Sequence, residues 1–114
     1  MSLQNQMIPL QSQEQFETLY KKEKLTSSIL VYFTADWCGA CKRLDWEFLK
    51  EEFPDLTVYK CDIDVNKYTA GFCGVKSIPS FLLMDPEKKL ESLQSSDTAK
   101  VATWINKHLV AKKS

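Results

Sequence analysis

Apolar and polar positions along the chain alternate between helical and strand-like spacing. After a short strand at Met7-Ile8, Phe16, Leu19 and Tyr20 recur at the interval of a helix face, and Ser12 followed by Gln15 is a capping-box pattern at its start. Ile29-Leu30-Val31-Tyr32-Phe33 is apolar at every position and rich in β-formers, as in a central strand covered on both faces. A second helix is predicted to begin near Trp37 to Cys38, with Cys41, Leu44 and Phe48 on one face, and to end before Pro54. Leu56 to Ile63 reads as the next strand, Asn66 to Phe72 as a short helix stopped by Gly71 or Gly74, and Ile78 to Met84 as a further apolar strand with Pro79 near its start. The turn Asp85-Pro86-Glu87-Lys88 leads into Lys89-Leu90-Glu91-Ser92-Leu93, whose alternation suits a half-exposed edge strand joined as a hairpin. Asp97 is a good cap for a last helix burying Val101, Trp104, Ile105 and Leu109.

The predicted order is therefore β-α-β-α-β-α-β-β-α. A βαβ half followed by an antiparallel ββα half gives an α/β fold with a mixed central sheet of about five strands and about four helices on its two faces. The 114 residues suit one domain, 1–114, with 1–6 and 111–114 expected as flexible ends. Apolar residues make up 44% and charged residues 26%, as in an ordinary soluble globular protein. Lys and Arg number 15, balancing 15 Asp and Glu, so no net field draws the chain to nucleic acid or an anionic membrane. The chain has no apolar run long enough for a membrane helix, and its start, Met1-Ser2-Leu3-Gln4-Asn5-Gln6, lacks the regions of a signal peptide. A cytoplasmic protein, monomeric, is the expectation.

Four cysteines suit two structural disulfides, a zinc site, or a reactive pair with two bystanders. Only Cys38 and Cys41 are close in sequence, whereas a four-cysteine zinc site normally uses two close pairs, so no metal is expected. The pair lies where the buried strand turns into a helix. There the unpaired N–H groups and the positive end of the helix favour thiolate at the first cysteine, and the three-residue spacing brings the second sulfur within bonding distance. Cys38 is then the attacking thiol and Cys41 the one that resolves the mixed disulfide. A bare C-x-x-C still leaves open half a zinc site or two buried thiols. Cys61 and Cys73 have neither a helix start nor a cationic cluster beside them and read as bystanders. His108, on the last helix, gets no catalytic role; Trp46 and Trp104 read as core residues, and Trp37 as a shield for the nucleophile and part of the surface that substrates touch.

The segment Ala35-Asp36-Trp37-Cys38-Gly39-Ala40-Cys41-Lys42 resembles the active-site sequence of the thioredoxin family, usually written W-C-G-P-C-K, with Ala40 where that family usually has proline. Gly74-Val75-Lys76-Ser77-Ile78-Pro79-Ser80 resembles its loop carrying a cis-proline beside the disulfide, and Ile29 to Ala35 its central strand. The likeness runs from about Met7 to about Leu109. It implies the thioredoxin fold and dithiol–disulfide exchange that reduces protein disulfides, with no bound cofactor beyond the redox-active Cys38-Cys41 pair and with electrons from a recycling enzyme such as thioredoxin reductase. It also implies that Trp37, Gly39, Ala40, Ile78 and Pro79 shape the substrate site, an extended chain pairing with the backbone of Ile78. Two alternatives share the fold: a disulfide oxidant or isomerase of an oxidising compartment, and an adaptor domain with incidental thiols. Gly39-Ala40 lacks the histidine of the isomerase active site, and the joint presence of Trp37, Cys38, Cys41 and Pro79 speaks against the adaptor. The pattern breaks at Tyr32, where most of the family carries a buried aspartate that is thought to deprotonate the resolving thiol, with a lysine matched by Lys60 nearby.

Overall fold

The computed structural model describes residues 7–111; of the ends expected to be flexible, all but the backbone of Ala111 falls outside this range. Its strands are β1 (Ile8–Pro9), β2 (Ile29–Thr34), β3 (Thr57–Asp62), β4 (Ser80–Met84) and β5 (Leu90–Gln94). Its α-helices are α1 (Gln13–Glu17), α2 (Trp46–Glu52), α3 (Lys67–Phe72) and α4 (Thr98–Ala111). The strands form one mixed sheet in the order β1-β3-β2-β4-β5. β1 and β2 run parallel to β3, and β4 runs antiparallel to β2 and β5. The fold class expected from the sequence is the one found.

The unbroken apolar run of β2 is explained by its central place, since every residue from Ile29 to Thr34 is buried. Leu30 and Tyr32 point into a core with Trp46 and Leu49 of α2 and Val101 and Ile105 of α4. Ile29, Val31 and Phe33 point the other way, to Phe16 and Leu19 from the first helix and Ala70 of α3. Period-two alternation is thus present, but both of its faces are apolar.

The first helix is capped as predicted, Gln15 N–H donating to Ser12 Oγ over 3.1 Å. The return bond differs from a capping box, because Gln15 Oε1 accepts from Gln11 N–H. α1 continues as one π-helical turn over Thr18–Lys22.

The second helix is where the structure departs most from the expectation. Instead of one helix from Trp37, a 3₁₀ turn covers Ala40–Arg43, Leu44 is extended, and α2 starts afresh at Trp46. Asp45 causes the restart: its Oδ1 accepts from Phe48 N–H at 3.1 Å, and its own N–H donates to Thr98 Oγ1 at 3.0 Å. The break rotates the helix, so Leu44, Trp46 and Leu49 are buried while Phe48, expected on the inner face, is exposed. Trp46 is core as expected, whereas Trp104 is only half-buried at the edge of that core, its ring beside Phe81. Asp97 caps α4 through Oδ1, which accepts from the N–H groups of Ala99 and Lys100.

Candidate active site

Cys38 and Cys41 are joined by a disulfide, with their Cα atoms 5.3 Å apart. They sit beyond the C-terminal end of β2, in the same core cluster as Tyr32, Leu44, Trp46 and Phe81. Cys38 N–H donates to Ala35 O at 3.1 Å, closing the turn that leads out of the strand. The sequence places Cys38 at a helix N-terminus, where an attacking thiol is reached from solvent, and the structure corrects both points. Cys38 and Cys41 are each only 4% exposed. Gly39, not Cys38, precedes the first turn, and a four-residue 3₁₀ turn provides little macrodipole. What distinguishes the two sulfurs is one hydrogen bond: Cys41 N–H donates to Cys38 Sγ over 3.1 Å. A donor aimed at a sulfur favours its anionic form.

Around the pair, Trp37 is 66% exposed, and its Nε1 donates to Asp64 Oδ2 at 2.8 Å. Asp64 is held in turn by its N–H donating to Asp62 Oδ1. Asp64 carries no signal of this role in the sequence, since it is 27 residues from Trp37 and no local pattern joins them. Buried Asn66 fixes the same loop, donating from Nδ2 to Leu10 O and accepting at Oδ1 from Thr69 N–H. Gly39 has φ −65°, and a Cβ placed there would meet nothing within 4 Å, so the backbone does not demand glycine at this exposed position. Ala40 and Ile78 pack against the cluster that contains both cysteines. Pro79 is fully buried and its bond to Ile78 is cis. The loop before it turns at Gly74, whose φ of 71° lies in the left-handed region, and Ser80 Oγ donates to Ser77 O at 2.6 Å.

Tyr32 is 1% exposed, stacked on Phe81 with ring centroids 5.5 Å apart and 4.8 Å from the Trp46 ring. Its strand neighbours in register are Lys60 and Phe81. Burial raises the Tyr32 hydroxyl above its usual pKa, an effect that polar contacts with Thr34 and Trp46 only partly offset. The Trp46 Nε1 makes no well-formed hydrogen bond, so its pull on that hydroxyl is weak.

Cys61 is fully buried on the other face of the sheet, its Sγ donating weakly to Asn66 O, and Cys73 is half-buried at the end of α3. Burial, with smaller contributions from Cys73 and Asp62, pushes the Cys61 thiol up to about 12, and burial pushes Cys73 up to about 11. Both are therefore protonated at neutral pH. Because the unfolded chain releases the Cys61 proton near pH 8.5, stability is fully present below that pH and is lost as the pH climbs toward the folded value, by up to about 1.4 kcal/mol per unit. Thermal melts between pH 8 and 10.5 are expected to decline more steeply for the parent than for Cys61→Ala. Parallel declines would contradict the buried-thiol account. Among the described residues, no three His, Cys, Asp or Glu side chains converge on a metal position.

The thioredoxin family model matches residues 7–107. The chain belongs to the thioredoxin family. A thioredoxin of Chlamydia muridarum is 40% identical over 83 residues, 70% of this chain and 81% of the relative. One of Chlamydia trachomatis is 35% identical over 106 residues, covering 90% of this chain and 99% of the relative. Among solved structures, Fasciola hepatica thioredoxin superposes with a TM-score of 0.78 at 27% identity, over 90% of this chain and 99% of that one. Schistosoma mansoni thioredoxin gives 0.75 at 29%, over 90% and 94%. The chain is a thiol–disulfide oxidoreductase of the thioredoxin type, a protein-disulfide reductase, and Cys38-Cys41 is its redox pair.

Proposed function

We propose that Cys38 is the attacking thiol and Cys41 the resolving one. The observation that carries this is the Cys41 N–H directed at Cys38 Sγ, which has no counterpart at Cys41 Sγ among the described residues. In the reduced protein the Cys38 thiolate attacks one sulfur of a substrate disulfide; the Cys38–substrate bond forms as the substrate's own bond breaks, and its second sulfur leaves as a thiolate that takes up a proton. Cys41 then loses its proton and attacks Cys38 Sγ, releasing the substrate's first sulfur as a thiol. Two electrons have passed to the substrate, and the protein is left with the Cys38-Cys41 disulfide, which a recycling enzyme such as thioredoxin reductase returns to the dithiol. No bound cofactor enters this cycle. We read Trp37, Gly39, Ala40, Ile78 and Pro79 as shaping the rim against which the substrate chain lies, Ile78 being outside the β4 ladder. The setting is a reducing one, the cytoplasm, and the working form is a single-domain monomer.

Tyr32 shapes the second half of the cycle. A phenol whose pKa burial has raised stays protonated at neutral pH and cannot take the Cys41 proton, which passes instead to water. Tyr32→Asp is expected to speed resolution and lower the melting temperature, because a carboxylate placed in this core is costly even with Lys60 beside it. Stopped-flow reduction of a model disulfide reads the first effect; a variant that resolves no faster than the parent would contradict it.

The proposed cycle is tested by supplying electrons from a thioredoxin reductase and following protein-disulfide cleavage. Catalytic amounts of the chain are expected to drive many turnovers. Cleavage no faster than without the chain would overturn the reading.

A further inference from the structure

The turn that carries Cys41 is held lightly along its own length. Lys42 N–H donates to Gly39 O at 3.1 Å and Leu44 N–H to Cys41 O at 3.3 Å, bonds of the 3₁₀ kind, whose geometry is poorer than that of an α-helix. Neither Gly39 nor Ala40 stiffens the backbone, and α2 does not run into the turn, because Leu44 is extended and the helix restarts after Asp45. The turn is therefore fixed from its two ends. At the first, Cys38 N–H donates to Ala35 O just beyond β2. At the second, Asp45 N–H donates to Thr98 Oγ1 at 3.0 Å, across a separation of 53 residues. Thr98 is the first residue of α4, yet its hydroxyl does nothing for its own helix. The N–H groups that a helix start leaves over go to Asp97, whose Oδ1 accepts from Ala99 and Lys100 and whose carbonyl accepts from Val101. Among the described residues the Thr98 hydroxyl accepts from Asp45 N–H alone.

We propose that Thr98 is a positioning residue for the redox pair: by holding Asp45 it fixes the far end of the turn and so keeps Cys41 N–H directed at Cys38 Sγ. The inference rests on the reading of Cys38 as the attacking thiol. Only Lys42, Arg43 and Leu44 lie between Cys41 and the anchored residue, so a shift at Asp45 is passed on through a short, weakly bonded segment. Cys41 and Leu44 are also held by burial, but apolar packing is non-directional, whereas the aim of an N–H at a sulfur follows the backbone that the anchor sets. With the anchor removed, the turn samples more orientations and the bond to Cys38 Sγ is made for less of the time. The Cys38 thiolate then loses stabilisation. The sign of each consequence follows from that loss. Fewer Cys38 anions are present at neutral pH, so attack slows, and a less stable dithiol shifts the balance toward the disulfide, making the pair more reducing.

The experiment compares the parent with Thr98→Val, which keeps the branched shape and removes the hydroxyl, and with Thr98→Ser, which keeps the hydroxyl. Ser12→Ala, which removes the cap of α1 on the other side of the sheet, controls for a loss of stability alone. The reduced proteins are alkylated with iodoacetamide over a range of pH, the first cysteine modified is identified by peptide mass, and thermal melts are recorded alongside. In Thr98→Val, Cys38 is expected to react about threefold more slowly at neutral pH, with the midpoint of its pH profile displaced upward. The equilibrium constant for oxidation of the pair by glutathione disulfide should be about threefold larger. Thr98→Ser and Ser12→Ala should match the parent in both measurements. Coincident profiles for Thr98→Val and the parent would overturn the proposal. So would an equal displacement in Thr98→Ser, which would place the effect outside the hydroxyl, or in Ser12→Ala, which would place it in stability at large. Alkylation of Cys41 ahead of Cys38 in the parent would overturn the assignment of the attacking thiol, and the role of Thr98 with it.

Discussion

Cys38→Ser is expected to bring protein-disulfide reduction down to the uncatalysed background while the chain remains folded. A serine hydroxyl at neutral pH neither ionises nor forms a stable bond to a substrate sulfur, so the first step of exchange has no nucleophile. No other cysteine can substitute: Cys61 lies in the core cluster on the far face of the sheet with half-buried Cys73 packed against it, and both thiols are held protonated. The fold should survive because serine fits the space of cysteine and its Oγ can accept the Cys41 N–H that now meets Cys38 Sγ. The lost cross-link spans a sequence separation of only three, which loop-closure entropy values at about 2 kcal/mol. Insulin-disulfide reduction checks the activity and circular dichroism the fold. Residual turnover well above background would mean that a different thiol attacks.

Cys41→Ser is expected to have the opposite signature, intact attack with turnover lost. Cys38 still meets the substrate, and its thiolate keeps the backbone donor from position 41, since serine retains that N–H. The mixed disulfide that forms has no internal thiol to release it, so one substrate chain should accumulate per protein molecule, removable by added dithiothreitol. Intact-mass measurement under non-reducing conditions reads the adduct, and proteolysis places it on Cys38. If Cys38→Ser rather than Cys41→Ser accumulated the adduct, the two roles would have to be exchanged.

Most of the element order was legible because the chain's punctuation is strong. Gly74 and Asp97 act where the sequence places them, and the unbroken run from Ile29 to Phe33 marks a strand covered on both sides. The break between the active-site turn and α2 was missed although its signal was present. Asp45 is a good N-cap, yet the helical spacing of Cys41, Leu44 and Phe48 spoke for continuity, and only the contact with Thr98, 53 residues away, makes the restart plain. The site was legible as chemistry and less so as geometry. The Cys-x-x-Cys pair, its tryptophan and the proline loop are local words in the sequence. The burial of Cys38, the Trp37–Asp64 bond and the backbone donor at Cys38 Sγ depend on how distant segments or successive dihedral angles meet, which no residue pattern encodes.

The central claim, a dithiol that donates electrons to protein disulfides, is tested most directly by the reduction potential of the Cys38-Cys41 pair. The protein would be equilibrated in graded ratios of reduced to oxidised dithiothreitol or glutathione, with the fraction oxidised read after acid quench and alkylation. The account predicts a value close to the thioredoxin range, about −270 mV, and a value toward the strong oxidants, about −120 mV, would contradict it.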